Sequence, residues 1–157
     1  SYREFLEQHG TKSRSGQIVD TAGRTIGWHD GIHNFTVGQR RGLGVAEGKP
    51  LYVVDLDVHR DRVVVGRRED AYSSGCEVED LNLISIASLD VPATGTCMVR
   101  YRGREVQAAI APLDGSHARI HFSEPQFAVT PGQAAVFYQG EQVLGGGIIT
   151  SRLTAGV

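Results

Sequence analysis

The feature that most narrows the fold is a succession of short β-branched and aromatic runs, each closed by a turn signal. "GQIVD" and "TIGWHD" flank Ala22-Gly23, and "LYVVDLD" and "RVVVGRR" flank "VHRD". "ISIASL", "GTCMVRYRG", "REVQAAIAPL", "ARIHFSE", "AAVFYQG" and "QVLGGGIIT" follow in order. Turns recurring every roughly eight to twelve residues predict an all-β chain, arranged as a sandwich or small barrel. Alternation assigns the faces. Cys97, Val99 and Tyr101 share one side of their strand, with Met98, Arg100 and Arg102 on the other. Ala118, Ile120 and Phe122 oppose Arg119 and His121 in the same way, which suits sheets with one buried and one wet face.

The opening "SYREFLEQHG" has a different period. It predicts a short amphipathic helix that begins abruptly, as a domain cut from a longer chain would. It lacks the apolar core of a signal peptide, and no apolar run is long enough to span a bilayer. Basic residues thin out after residue 75, and "EDAYSSGCEVED" reads as a connection. The expected organisation is a small β domain over residues 1–75, carrying the short helix, and a β-barrel over 76–157.

A formal net charge of −2 does not by itself announce nucleic acid. The basic residues are almost all arginine, with only Lys12 and Lys49 as exceptions. Genomic base composition is the simpler source of that skew, and selection for phosphate-gripping forks is the functional one; composition does not separate them. Two cysteines, Cys76 and Cys97, are too few for a disulfide framework and fit a reducing compartment, most simply the cytoplasm. Cys97 falls on an apolar strand face. Cys76 stands among acidic residues that would make its thiolate scarcer. Neither is expected to be a nucleophile.

"HDGIHNFTVGQRRGLG", residues 29–44, is the densest polar stretch. His29 and His33 have the H-x-x-x-H spacing of helical zinc proteases, but Gly31 interrupts and Asp30 stands where a general-base glutamate belongs. A loop whose histidines bond its own backbone is expected, with no metal. "GLGVAEG" lacks the strand before and the helix after that a phosphate loop needs. "LGGGIIT" opens an apolar strand, where glycines allow close backbone approach inside a barrel. No catalytic constellation emerges.

Three polar groups remain. Gln39, Arg40 and Arg41 stand between Gly38 and Gly42, where backbone can approach a partner while side chains reach outward. Arg100 and Arg102 share a strand face about 7 Å apart, with Arg104 just beyond. Gln133 sits in the "TPGQ" turn. Each could be a solvated surface group; together they suggest a binding surface.

These residues also carry a resemblance. "GQIVDTAGRTIGWHDGIHNFTVGQRRGLGVA", "MVRYRG" and "AVTPGQAAVFYQGEQVLGGGII" are similar to the C-terminal part of the tRNA-specific 2-thiouridylases, in order and over nearly the whole chain. The resemblance implies an enzyme that adenylates and then thiolates C2 of the wobble uridine, U34, in tRNA. It implies ATP and Mg²⁺ in the full-length enzyme, a sulfur-donor protein as a partner, and a C-terminal barrel similar to a translation-factor barrel. The chain lacks the S-G-G-x-D-S pyrophosphatase loop. Cys76 and Cys97 match neither catalytic cysteine, so no catalytic residue and no cofactor site is expected here. Arg100, Tyr101 and Gln133 are implied contacts for the tRNA anticodon arm. Arg102 joins them on strand geometry, and Gln39, Arg40 and Arg41 follow. The competing expectation is a module that braces the catalytic domain with little direct RNA contact.

Overall fold

The structure is a computed structural model and describes residues 14–44, 48–84, 92–99, 103–113 and 116–154. The helix expected over the first ten residues, and most of "ISIASL", lie outside them. The chain divides into two units, Ser1–Tyr72 and Ser73–Val157.

The first unit holds four strands: β1 (Gly16–Val19), β2 (Thr25–His29), β3 (Tyr52–Asp57) and β4 (Arg62–Gly66). Their order across the sheet is β2-β1-β4-β3. Strands β1 and β2 form the expected antiparallel hairpin, and Asp20 makes its turn. One carboxylate oxygen accepts from the backbone N–H of Ala22 at 3.0 Å and of Arg24 at 2.9 Å. The Arg24 guanidinium closes on the other at 2.7 Å. The Arg24 backbone N–H, followed by its guanidinium, holds the Asp20 carboxyl below its ordinary pKa. Strands β3 and β4 form the second expected hairpin. Parallel pairing of β1 with β4, through Ile18 and Val63, joins the two hairpins. Ile18, Val53, Val63 and Val65 build the core under this sheet, each at most 1% exposed.

The second unit is a closed barrel. Its strands are β5 (Tyr72–Leu83), β6 (Ala93–Met98), β7 (Val106–Pro112), β8 (Ala118–Phe127), β9 (Ala134–Gln139) and β10 (Gln142–Thr154). They run β10-β5-β8-β7-β6-β9 around the barrel, and β9 pairs back onto β10. Closure removes the edges that an open sheet would expose. Inward residues alternate as the pattern predicts: Cys97 and Val99, then Ala118, Ile120 and Phe122, all enter the core.

The all-β expectation with a C-terminal barrel agrees with this architecture. The stretch read as a connection does not. Residues 72–83 of "EDAYSSGCEVED" and beyond form the long strand β5. Ser73, Cys76 and Val78 are buried in the barrel, whereas Glu77 and Glu79 alternate to the wetter side. The acidic side chains mark the solvated face of a strand, which in one dimension looks like a polar loop.

The triglycine of β10 has the expected reason. A side chain on Gly145 would strike the Asn82 carbonyl. One on Gly146 would lie 2.7 Å from the Ala135 carbonyl, and one on Gly147 would lie 2.8 Å from that of Glu79. Strand β10 is thus pressed between β5 and β9. Its ladder to β5 shifts register three times, and Asp80 takes φ 52° opposite one shift. Such bulges bend the strand enough to close the barrel.

Candidate nucleic-acid interface

The segment after β2 is tied down by alternate side chains. A short 3-10 turn, Ile32–Asn34, buries Ile32, and Phe35, Val37 and Leu43 follow it into the core. The backbone then docks on β3: the Gly38 N–H donates to the Val53 carbonyl at 2.7 Å, and the Val53 N–H donates to the Gln39 carbonyl at 2.8 Å. Gly38 and Gly42 take φ 93° and 75°, a left-handed backbone that a β-carbon resists. Between them the chain turns outward and presents Arg40 and Arg41 to solvent.

Gln39 faces the other way. Its Oε1 accepts from the Thr36 N–H at 3.1 Å, and its Nε2 donates to the Arg41 carbonyl at 2.7 Å. Both ends of the amide are engaged within the loop. Gln39 therefore holds the shape that displays the two arginines, and its polar groups are not turned toward a ligand.

The arginines differ in electrostatics from their neighbours in the same unit. Arg24 pairs with Asp20 at 2.7 Å, Arg60 with Asp57 at 3.1 Å, and Arg67 with Glu69 at 3.6 Å. Arg40 and Arg41 have no ion pair with any described side chain. Two adjacent uncompensated guanidinium groups on a braced loop suit a polyanion.

His29 ends β2 and is 4% exposed. Its Nε2–H donates to the Asp61 carbonyl at 2.7 Å, and its ring meets Phe35 edge-on at 5.6 Å between centroids. The expectation that it bonds its own loop is corrected: the partner lies 32 residues away, in the β3–β4 turn. His33 sits in the 3-10 turn, so the two histidines do not share a helix face. Among the described residues no group of three histidine, cysteine, aspartate or glutamate side chains could hold a metal ion.

In the barrel, Gln133 closes a turn in which the Gly132 N–H donates to the Ile149 carbonyl at 2.7 Å. The Ile149 N–H returns to the Gln133 carbonyl at 2.8 Å. The side-chain Oε1 of Gln133 is buried without a hydrogen-bond partner. A buried acceptor without a partner is costly, and this oxygen is shielded from solvent, so it does not by itself offer a contact to a ligand. Arg100, Tyr101 and Arg102 lie outside the described residues, between β6 and β7. Arg104 is exposed.

Cys76 and Cys97 are free thiols with no exposed surface. Burial pushes the Cys97 thiol up to about 12. It also raises Cys76, with Cys97 and Glu77 adding to the effect, so burial rather than acidic neighbours dominates there. A raised thiol pKa contributes stability below the ordinary value of 9.0, and that contribution is lost as pH rises above it. At pH 8 the native protein is expected to be inert to a disulfide reagent, with both thiols reacting at once in denaturant. Rapid reaction of the native form would contradict this burial.

Sequence reading passed over Trp28, which is 70% exposed on β2. The available signal was its place in "TIGWHD", out of phase with the buried His29.

Residues 3–67 match the family described as tRNA methyl transferase PRC-barrel domain, and residues 73–149 match the aminomethyltransferase beta-barrel domain. The tRNA-specific 2-thiouridylase MnmA of Synechococcus sp. (strain ATCC 27144) is 50% identical over 149 residues, which is 95% of this chain and 42% of that protein. The protein of the same name from Nostoc punctiforme is 48% identical over the same shares. The chain therefore spans about two fifths of the length of the curated relatives it matches. With both units matched and half of the aligned residues identical, the chain belongs to the tRNA-specific 2-thiouridylase family and corresponds to its C-terminal portion.

Proposed function

We propose that this chain grips tRNA for a 2-thiouridylase that adenylates and then thiolates C2 of the wobble uridine, U34. The observation that carries the reading is the pair Arg40 and Arg41, held outward on a braced loop without counter-charge. Gln133 on the barrel and Arg100, Tyr101 and Arg102 are further candidates. Protein–RNA contacts of this kind position the nucleic acid through phosphate and sugar, while the target base leaves its stack to react elsewhere.

The sulfur chemistry belongs to other parts of the enzyme. Sulfur transfer needs an accessible thiolate, and both thiols here are buried and protonated. The Gly145–Gly147 stretch is filled by neighbouring carbonyls and leaves no room there for a phosphate cradle; ATP and Mg²⁺ are proposed to bind in another part of the full-length enzyme. The sulfur-donor protein would likewise meet another part of the enzyme. No described helix is long and apolar enough to cross a membrane. The cytoplasm is the proposed location, in keeping with a tRNA substrate and reduced thiols.

Salt dependence tests the grip. Changing both Arg40 and Arg41 to alanine is expected to reduce the magnitude of the log–log salt slope of tRNA binding by roughly 1.4 to 1.8, if each neutralises one phosphate. Fluorescence anisotropy of labelled tRNA reads this directly. An unchanged slope would remove the two arginines from the interface. Failure of the parent chain to bind at low salt would favour a bracing role.

A further inference from the structure

Trp28 is the only tryptophan of the chain and lies 70% exposed on β2, an edge strand. A bare indole on a strand edge invites aggregation. Its neighbours make it more than an unfinished core. Register places Gln17 directly opposite, while Gly27 and Ile18, the next pair, belong to the buried side. Arg62 precedes Val63, the β4 partner of Ile18, and so continues the row of Gln17. Asp57 faces Arg62 across the ladder, but its carboxylate is bonded to Arg60. Arg62 has no ion pair among the described residues.

The outer face of the sheet thus carries an indole, an amide and a guanidinium in one row. Trp28 and Arg62 stand two strand spacings apart, about 10 Å. A protein-docking patch would surround the indole with further apolar surface. Here the row continues with a hydrogen-bonding group and a spare positive charge. That is the composition of a platform on which an unpaired base stacks while a cation meets its backbone.

We infer that Trp28 stacks an unpaired base of the bound tRNA, with Gln17 and Arg62 beside it to contact the base edge and the phosphate. The inference rests on the tRNA-gripping reading and adds a second contact region, separate in residues from Arg40 and Arg41.

The sole tryptophan makes the test direct. The chain is titrated with labelled tRNA, following anisotropy for binding and Trp28 emission for stacking. Emission is expected to be quenched along the same curve as binding, and a short single-stranded RNA should quench while a blunt RNA duplex should not. Trp28→Ala should weaken binding roughly fivefold to a hundredfold, the worth of one stacked base. Trp28→Phe should recover part of it. Trp28 is at the surface, so both variants should melt as the parent does. Binding that leaves emission unchanged, or an affinity unaltered by Trp28→Ala, would overturn the stacking role while leaving the grip intact. A covering segment of protein in place of RNA would give that result. Absence of any anisotropy change at low salt would instead remove the tRNA-gripping reading, and the platform with it.

Discussion

Gly145→Val is expected to unfold most of the barrel population under mild stress. The added β-carbon would collide with the Asn82 carbonyl and lie 3.1 Å from the Leu83 α-carbon. Both obstacles are backbone atoms of β5, paired to β10 through Gly145↔Leu83 and Gly146↔Asn82. A flexible side chain could swing aside; a paired strand cannot move without breaking its ladder. Overpacking therefore acts at the upper end of its usual range, about 3 kcal/mol or more. That is a large share of the roughly 5–15 kcal/mol that stabilises a domain. For a unit of this size it lowers Tm by roughly 12–24 °C. Trp28 lies in the other unit, so its emission would not report the loss. Amide hydrogen exchange along β5, β9 and β10 would, and near-native protection there would show that β10 has room this structure does not contain.

His29→Ala carries the second large effect. The substitution removes a ring that is 4% exposed, its edge contact with Phe35, and the 2.7 Å bond to the Asp61 carbonyl. Cavity formation and a lost partner for a partly buried carbonyl together cost about 3 kcal/mol. The loss is local in origin but reaches further. His29 fastens the end of β2 to the β3–β4 turn, and the loop bearing Arg40 and Arg41 starts from that fastening. Gly16 belongs to the same joint, since a β-carbon there would lie 2.7 Å from the His29 Nε2. Thermal melting followed by the adjacent Trp28 should show the drop, and His29→Gln, which keeps a donor, should fall less. Equal melting of parent and His29→Ala would mean that the loop is held by its apolar anchors alone.

Much of the fold was legible along the chain. Strand positions followed from alternation, both hairpins of the first unit from their turn residues, and the buried face of β6 and β8 from a period of two. The glycine stretch of β10 also read correctly, because three adjacent glycines in an apolar strand have few other uses. The family emerged from ordered motifs rather than from any chemistry visible in them.

The candidate surface was only half legible. Gln39, Arg40 and Arg41 look equivalent in sequence, yet the amide is spent on Thr36 and Arg41 while the guanidiniums are left uncompensated. Arg24 differs from Arg40 in having Asp20 four residues before it, in a turn that brings the two together. Trp28 was overlooked because an aromatic in a strand is ordinarily core, and only the register showed it on the outer side.

The sequence by itself determined most of the strands outside β5, which side of β6 and β8 is apolar, and which family the chain joins. Those are properties of short windows and of order along the chain, where backbone geometry sets a period of two. Only the tertiary structure decided which carbonyl His29 binds, which strand crowds Gly145, how deeply Cys76 is buried, and which arginines remain unpaired. The first three depend on partners tens of residues away; the arginine pairs are short-range, but form only where the folded turn brings a carboxylate within reach. A strand's pattern states which face is buried, but the identity of its neighbour is set by the closing of the sheet.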